Sequence, residues 1–209
     1  MKIGIVIFDN FTDVDFFLHW DLLNRVRLLN LHENWNVKIL GTSQSHLSAA
    51  GLKVATTGSI EEVESCDAVM ISSGFGTRDL IGDNEYLKRL NISPLNKIVA
   101  AQCSGSLVLG AKGLLGGVKV SGYPPILKHL VEYGAHPVNE SLVTDGGVAT
   151  ASSCLGSVML SSYVIKTLSG VRAQNEVMKS ICPISGFDDF ANQCKKDMGP
   201  DSISGRETI

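Results

Sequence analysis

The chain predicts a doubly wound α/β domain, a mostly parallel sheet with helices on both faces, on three observations. Short, continuous apolar runs recur at Ile3 to Phe8, Asn36 to Leu40, Ala68 to Ile71 and Ile98 to Gln102, as in central parallel strands covered on both faces. Helical stretches separate them. The fourth run ends abruptly on Cys103, and a helix-like apolar stretch, Leu107 to Ala111, follows at once.

In chain order, the first run is read as the first strand. Its apolar core is far too short for a membrane span, it lacks a small-residue cleavage site, and it runs straight into Asp9-Asn10. Asp15 to Leu29 follows as a helix with Phe16, Leu22, Leu23, Val26 and Leu29 on a broad apolar stripe. Gln44 to Thr57 alternates weakly and contains Gly51, which predicts a hairpin or edge excursion. Glu85 to Leu90 is a short helix, and Cys154 to Leu168, apolar and rich in small residues, is a helix buried against the sheet. A further helix is expected from Val171 to Lys179. From Ile181 the composition turns polar, so a single domain over 1–180 with a loosely ordered tail over 181–209 is expected.

Composition bounds the function. The 209 residues are 44% hydrophobic and 19% charged, enough apolar material for one sizeable core. A net charge of −3 without any Lys/Arg-rich run speaks against nucleic acid or an anionic membrane as partner and for small-molecule chemistry. The five cysteines (Cys66, Cys103, Cys154, Cys182 and Cys194) are odd in number, with no Cys-x-x-Cys spacing and no nearby histidine pair. No disulfide framework or metal site is expected, and a reducing cytoplasm is.

A thiol on the tight turn between a buried strand and a helix is a nucleophile elbow with sulfur in place of oxygen. It faces the helix N-terminus, whose free N–H groups commonly lower a thiol pKa to about 4 to 7. An ionised Asp15 beside it would push the other way, and a thiolate at neutral pH, titrating jointly with that carboxyl, is expected for Cys103. The other reading of Cys103 is a small buried apolar side chain. Ligands of such folds collect outside the carboxyl ends of the strands, where two further segments converge. Phe11 to Phe16 carries Asp13 and Asp15; a carboxylate there either exchanges protons with a bound reactant or caps the helix. Ser72-Ser73-Gly74-Phe75-Gly76 is either an oxyanion turn or an ordinary strand-to-helix turn. It lacks a third glycine and does not follow the first strand, so no dinucleotide, and no other cofactor, is expected.

The segment Gln102 to Gly117, with Cys103-Ser104-Gly105-Ser106-Leu107-Val108-Leu109-Gly110-Ala111, resembles the PfpI/ThiJ superfamily and within it the isocyanide hydratase branch, which has Cys-Thr-Gly-Ser-Leu-Val-Leu-Gly-Ala there. The resemblance extends to Phe8 through Asp21 and Ile71 through Ile81, and more faintly to about Gly170. It implies a flavodoxin-like sandwich, Asp15 as the catalytic aspartate, Asp21 as a second acidic position, and Gly74 and Gly76 in a glycine-rich turn. It implies a homodimer with the site near the two-fold; Phe16, Phe17, Leu18 and Trp20, more apolar surface than one buried face uses, agree.

The departures matter. Ser104 replaces the hydratase threonine, retaining a hydroxyl to position carboxylate or substrate, and excludes the histidine of protease-like relatives. Tyr123-Pro124 replaces a histidine-tryptophan pair, and no His-x-Glu pair of the amidotransferase kind follows Cys103. His129 and His136 are expected at the surface or in packing. Ser153 and Met159 replace a late Gly and Asp, which leaves Cys154 either near the pocket or in the core. The activity implied is hydration of an isocyanide to a formamide. Cys103 is the nucleophile, Asp15 the acid and base, Ser104 the third catalytic residue, and Gly74, Phe75, Gly76 and Tyr123 form the oxyanion and substrate-binding set. A glyoxalase-like reaction of a small carbonyl compound and a non-catalytic sensor that oxidises Cys103 to a sulfinic acid are the alternatives.

Overall fold

The computed structural model describes residues 1–182 together with Asp189, Asn192 and Lys196. The first half of the chain runs β1 (Lys2–Val6), α1 (Asp13–Leu28), β2 (Asn36–Gly41), β3 (Ser45–Leu47), β4 (Lys53–Ala55), β5 (Gly58–Ser59), β6 (Ala68–Ile71), α2 (Thr77–Leu80) and α3 (Asn84–Arg89). It continues through β7 (Ile98–Gln102), α4 (Ser106–Ala111), β8 (Lys119–Val120), α5 (Leu127–Glu132), β9 (His136–Pro137), β10 (Leu142–Asp145), β11 (Val148–Ala151) and α6 (Gly156–Lys179). The four apolar runs are strands, and all residues of β6 and β7 are buried.

Seven strands form one sheet in the order β10-β11-β7-β6-β1-β2-β5, parallel throughout except at β10. From β1 the chain moves one way, to β2; from β6 it moves the other way, to β7 and β11. With right-handed crossovers that reversal puts the connecting helices on opposite faces, and it opens a crevice at the carboxyl ends beside β1 and β6. Helices α1 and α6 pack on each other, and α4 packs with α5. The core is continuous, and Phe11 meets Phe16 edge-on at 5.3 Å.

Gln44 to Thr57 contains the antiparallel hairpin β3–β4, docked on the loop after β1 by Asn10 N–H to Leu47 O (2.8 Å) and Ala49 N–H to Phe11 O (2.8 Å). The two terminal helices of the sequence reading are one element broken at Gly170, where φ is 85° and ψ is 169°. Ile181 and Cys182 still pack on the core, and the rest of the expected tail, 183–209, lies outside the described residues apart from the three named above. The β10–β11 pair is absent from the sequence reading. It turns on Gly146 and Gly147, both at positive φ, which suits the right-handed twist of a tight hairpin. No helix among the described residues is long and apolar enough to cross a membrane.

Candidate active site

A pocket of about 320 Å³ opens over the crevice. Its walls come from the loops after four neighbouring strands: Thr12 after β1, Ser73 to Phe75 after β6, Cys103 and Ser104 after β7, and Ser153 and Cys154 after β11. Arg78 and Tyr123 complete it. The structure therefore brings together Cys103, Ser104, Gly74, Phe75 and Tyr123 of the predicted residues. Gly76 and Asp15 do not line it. Gly76 belongs to the scaffold, because a Cβ there would lie 2.0 Å from the Asp9 carbonyl.

Cys103 has φ 50°, in the left-handed region that a non-glycine residue occupies at a cost of roughly 1 to 3 kcal/mol unless its surroundings impose it. Two residues on, Gly105 lies tight against the end of β6, where an added Cβ would lie 2.7 Å from the carbonyl oxygens of both Ile71 and Ser72. The sharp turn lifts the sulfur above the sheet into the pocket.

Asp15, at the start of α1, is completely buried. It is not the helix cap: α1 begins after Thr12, and the neighbouring Asp13 accepts a hydrogen bond from Ala50 N–H at 3.2 Å. The loops after β1 and β6 are stitched by Thr12 N–H to Ser73 O (2.8 Å) and a bridge between Phe11 and Gly74. That stitch sets the Ser73 hydroxyl against the carboxyl, and Ser73 Oγ donates to Asp15 Oδ2. The same hydroxyl is within hydrogen-bond reach of the Cys103 sulfur. Cys154, lining the same pocket, interacts with the carboxyl.

Two expectations are corrected. The Ser104 hydroxyl does not reach the carboxylate; it accepts from Gly74 N–H (3.0 Å) and donates to Gly74 O (3.2 Å), clamping the elbow to the glycine turn. Gly74 N–H is consequently occupied, and the backbone donor on the sulfur is the Ser104 N–H. The second correction concerns charge. Burial pushes the Cys103 thiol up to about 11, helped by the negative charge of Asp15 and opposed by the Ser104 N–H, the Ser73 hydroxyl and Arg78. Helix α4 has only six residues and starts three residues later, so its N-terminus does not outweigh the loss of water. Asp15 is also raised by burial, against the hydrogen bonds of Ser73 and Cys154. Burial and the carboxyl push Cys154 up to about 12.

Ser73, Arg78 and Thr12 were not singled out in the sequence; Ser153 was read there only as a departure from the family pattern, and it lines the pocket. Arg78 lies over the Phe75 ring at 5.6 Å, one helical turn beyond it, and its cation faces the elbow. His129 and His136 are exposed and away from the pocket, as read from the sequence. No group of three or more His, Cys, Asp or Glu side chains among the described residues is placed to hold a metal ion.

Residues 1–167 match the model of the DJ-1/PfpI family. The chain belongs to that family. An isonitrile hydratase of Pseudomonas putida is 26% identical over 172 residues, covering 82% of this chain and 73% of the relative. Among solved structures, DJ-1beta of Drosophila melanogaster superposes with a TM-score of 0.75 at 19% identity, over 86% of this chain and 96% of that one. A two-domain protein of Anabaena variabilis with DJ-1/ThiJ/PfpI-like and ferritin-like domains gives 0.69 at 23% identity. The match covers 80% of this chain and 50% of that protein's length. At these identities the structural likenesses establish the DJ-1/PfpI fold alone.

Proposed function

We propose that this DJ-1/PfpI protein hydrates isocyanides to N-formamides, with Cys103 as nucleophile and Asp15 as the group that holds and returns the proton. The observation that carries the reading is the line Cys103, Ser73, Asp15, a thiol joined to a buried carboxyl by one hydroxyl. No histidine lines the pocket among the described residues, so a leaving group of the acyl-transfer kind has no imidazole to protonate it. An isocyanide needs none. Phe75 and Tyr123, both exposed at the mouth, offer aromatic surface to its substituent. The hydratase relative supports the same choice.

In the first step the Cys103 proton passes to Ser73 Oγ as the Ser73 proton passes to Asp15 Oδ2, leaving a thiolate and a neutral acid. The thiolate adds to the terminal carbon of R–N≡C, and Asp15 returns the proton to that carbon through Ser73, giving the thioimidate R–N=CH–S. Water then attacks the same carbon while its proton moves to Asp15 and on to nitrogen. The carbon–sulfur bond breaks as the hydroxyl proton of the adduct passes to Asp15, Cys103 leaves as thiolate, and R–NH–CHO departs. Ser104 N–H and Arg78 favour the thiolate at both ends of the cycle.

The reading includes one domain over 1–180, a cytoplasmic location, no resident cofactor and a homodimer. Purified protein given aryl and alkyl isocyanides should produce the matching formamides, and Cys103→Ala should abolish the activity while remaining folded. Absence of formamide across both substrate classes overturns the proposal.

A further inference from the structure

Two thiols face one carboxyl in this pocket, and the hydration cycle uses only one of them. Cys103 and Cys154 both line the cavity, both are half-buried, and both are free. Their loops leave adjacent parallel strands whose last residues, Gln102 and Ala151, are in register, so the two chains start about 4.8 Å apart. The Gln102 side chain then holds the second loop close, donating from Nε2 to the Ser153 carbonyl, one residue before Cys154. Both thiols thus enter one pocket from loops that leave paired strands, the juxtaposition from which a disulfide, with Cα atoms within about 7 Å, is made. The Asp15 carboxyl acts on both thiols, and the Ser73 hydroxyl bonded to it stands beside Cys103.

We propose that Cys154 is the resolving thiol of Cys103, and that a hydroperoxide closes a Cys103–Cys154 disulfide which reversibly blocks the pocket. The Cys103 proton passes through Ser73 to Asp15, and the thiolate attacks the distal oxygen of ROOH. The O–O bond breaks, and ROH leaves with the proton that Asp15 returns. Cys103 is then a sulfenic acid, oxidised by two electrons as the peroxide is reduced. Asp15, again a carboxylate, takes the Cys154 proton. Cys154 sulfur attacks Cys103 sulfur, the S–O bond breaks, and hydroxide leaves as water with that same proton. The sum is two thiols and one hydroperoxide giving one disulfide, one alcohol and one water. An added thiol reductant reopens the site. Without Cys154 the sulfenic acid has no partner in the pocket, and a second hydroperoxide oxidises it to the sulfinic acid with release of a second alcohol. The inference needs a reactive Cys103 but not isocyanide turnover, and its readout is covalent mass.

The reduced full chain is treated with a small excess of hydrogen peroxide, at least two equivalents per chain, and followed by intact mass and non-reducing peptide mapping. The wild type should lose the mass of two hydrogens and yield one linked peptide pair containing Cys103 and Cys154, reversed by dithiothreitol. Cys154→Ser and Cys154→Ala, shown folded by circular dichroism, should instead gain two oxygens at Cys103, which dithiothreitol does not remove. Sulfinic acid at Cys103 in the wild type with no linked pair overturns the proposal. So does pairing of Cys103 with Cys66, Cys182 or Cys194, or a Cys103 that stays reduced while Cys182 is oxidised. A protein that hydrates no isocyanide yet forms the linked pair fails the functional proposal and keeps this one.

Discussion

Ser73 Oγ donates to Asp15 Oδ2 in a site where the carboxyl has no exposure to solvent, and the hydroxyl is the link between that carboxyl and the Cys103 thiol. A buried acid that faces a bound reactant only through one hydroxyl depends on that hydroxyl in both directions of proton transfer. Ser73→Ala should therefore lower kcat by roughly 10²-fold, in the range of general acid–base contributions, with little change in KM. Ser73→Thr should recover a substantial part. A variant with wild-type kcat in steady-state formamide formation would remove Ser73 from the relay.

Replacing the carboxyl separates stability from activity. Asp15 has a folded pKa above its ordinary 3.8, so the unfolded chain loses this proton first and folding weakens as pH rises from about 3.8 through the folded value. At neutral pH the charged form is the disfavoured one in the fold. Asp15→Asn should be more stable than wild type at neutral pH, by thermal or urea denaturation, with the difference shrinking toward pH 3.8. It should be inactive, and its Cys103 thiol should titrate below about 11, since a like charge has been removed. Ultraviolet thiolate absorbance against pH checks the last point.

On the alkaline side the sign is the same. Cys103 ionises near 9.0 when unfolded and about 11 when folded, so stability falls as pH rises across that window. Cys103→Ser should flatten this part of the profile in urea denaturation.

His19 gives the opposite slope in acid. It is buried with Nδ1 on Ser161 Oγ at 2.7 Å, and burial takes it from 6.5 to about 3. The unfolded chain binds that proton first, so this contribution to stability is lost as pH falls from 6.5 toward 3. His19→Gln should lessen the acid loss between those values, read from urea midpoints at successive pH.

Gly105→Ala should cost about 1 to 3 kcal/mol, because both atoms an added Cβ would meet at 2.7 Å are backbone carbonyls that cannot swing aside. The elbow must shift, so turnover should fall with the melting temperature.

Assembly can be tested at α1, where Val14 and Phe17 are 44% and 40% exposed beside the loop that carries Thr12. Light scattering should give the mass of two chains for wild type and of one for Phe17→Asp. A single-chain mass for wild type at micromolar concentration would refute the dimer.

The parallel strands were legible because a strand covered on both faces can only be an unbroken apolar run, as in Ala68 to Ile71. The β10–β11 pair carried a signal in Asp145-Gly146-Gly147, but Thr144 and Thr150 interrupt its apolar pattern, and Thr150 is buried because its hydroxyl accepts from Ser121 N–H. Cys103 could be read from the abrupt strand end and the small residues beyond it. Ser73 could not, since nothing local distinguishes it from Ser72; its role arises from the stitch to Thr12, across 61 positions of sequence. The state of the thiol was misjudged for a related reason. A helix N-terminus is visible in sequence, and so is a carboxylate able to reach the thiol, whereas the burial of Cys103 exists only once the sheet is assembled.

The pocket walls run from Thr12 to Cys154, and each wall is placed by a different strand of the run β1-β6-β7-β11. No fragment of the growing polypeptide contains the centre. Until β11 docks beside β7, Cys103 is an ordinary thiol with no second wall, and a nascent or partly unfolded chain has no enclosed reaction chamber in which to misfire. Catalytic competence is thus the final product of sheet completion, and its loss in denaturant should coincide with the cooperative unfolding of the whole domain.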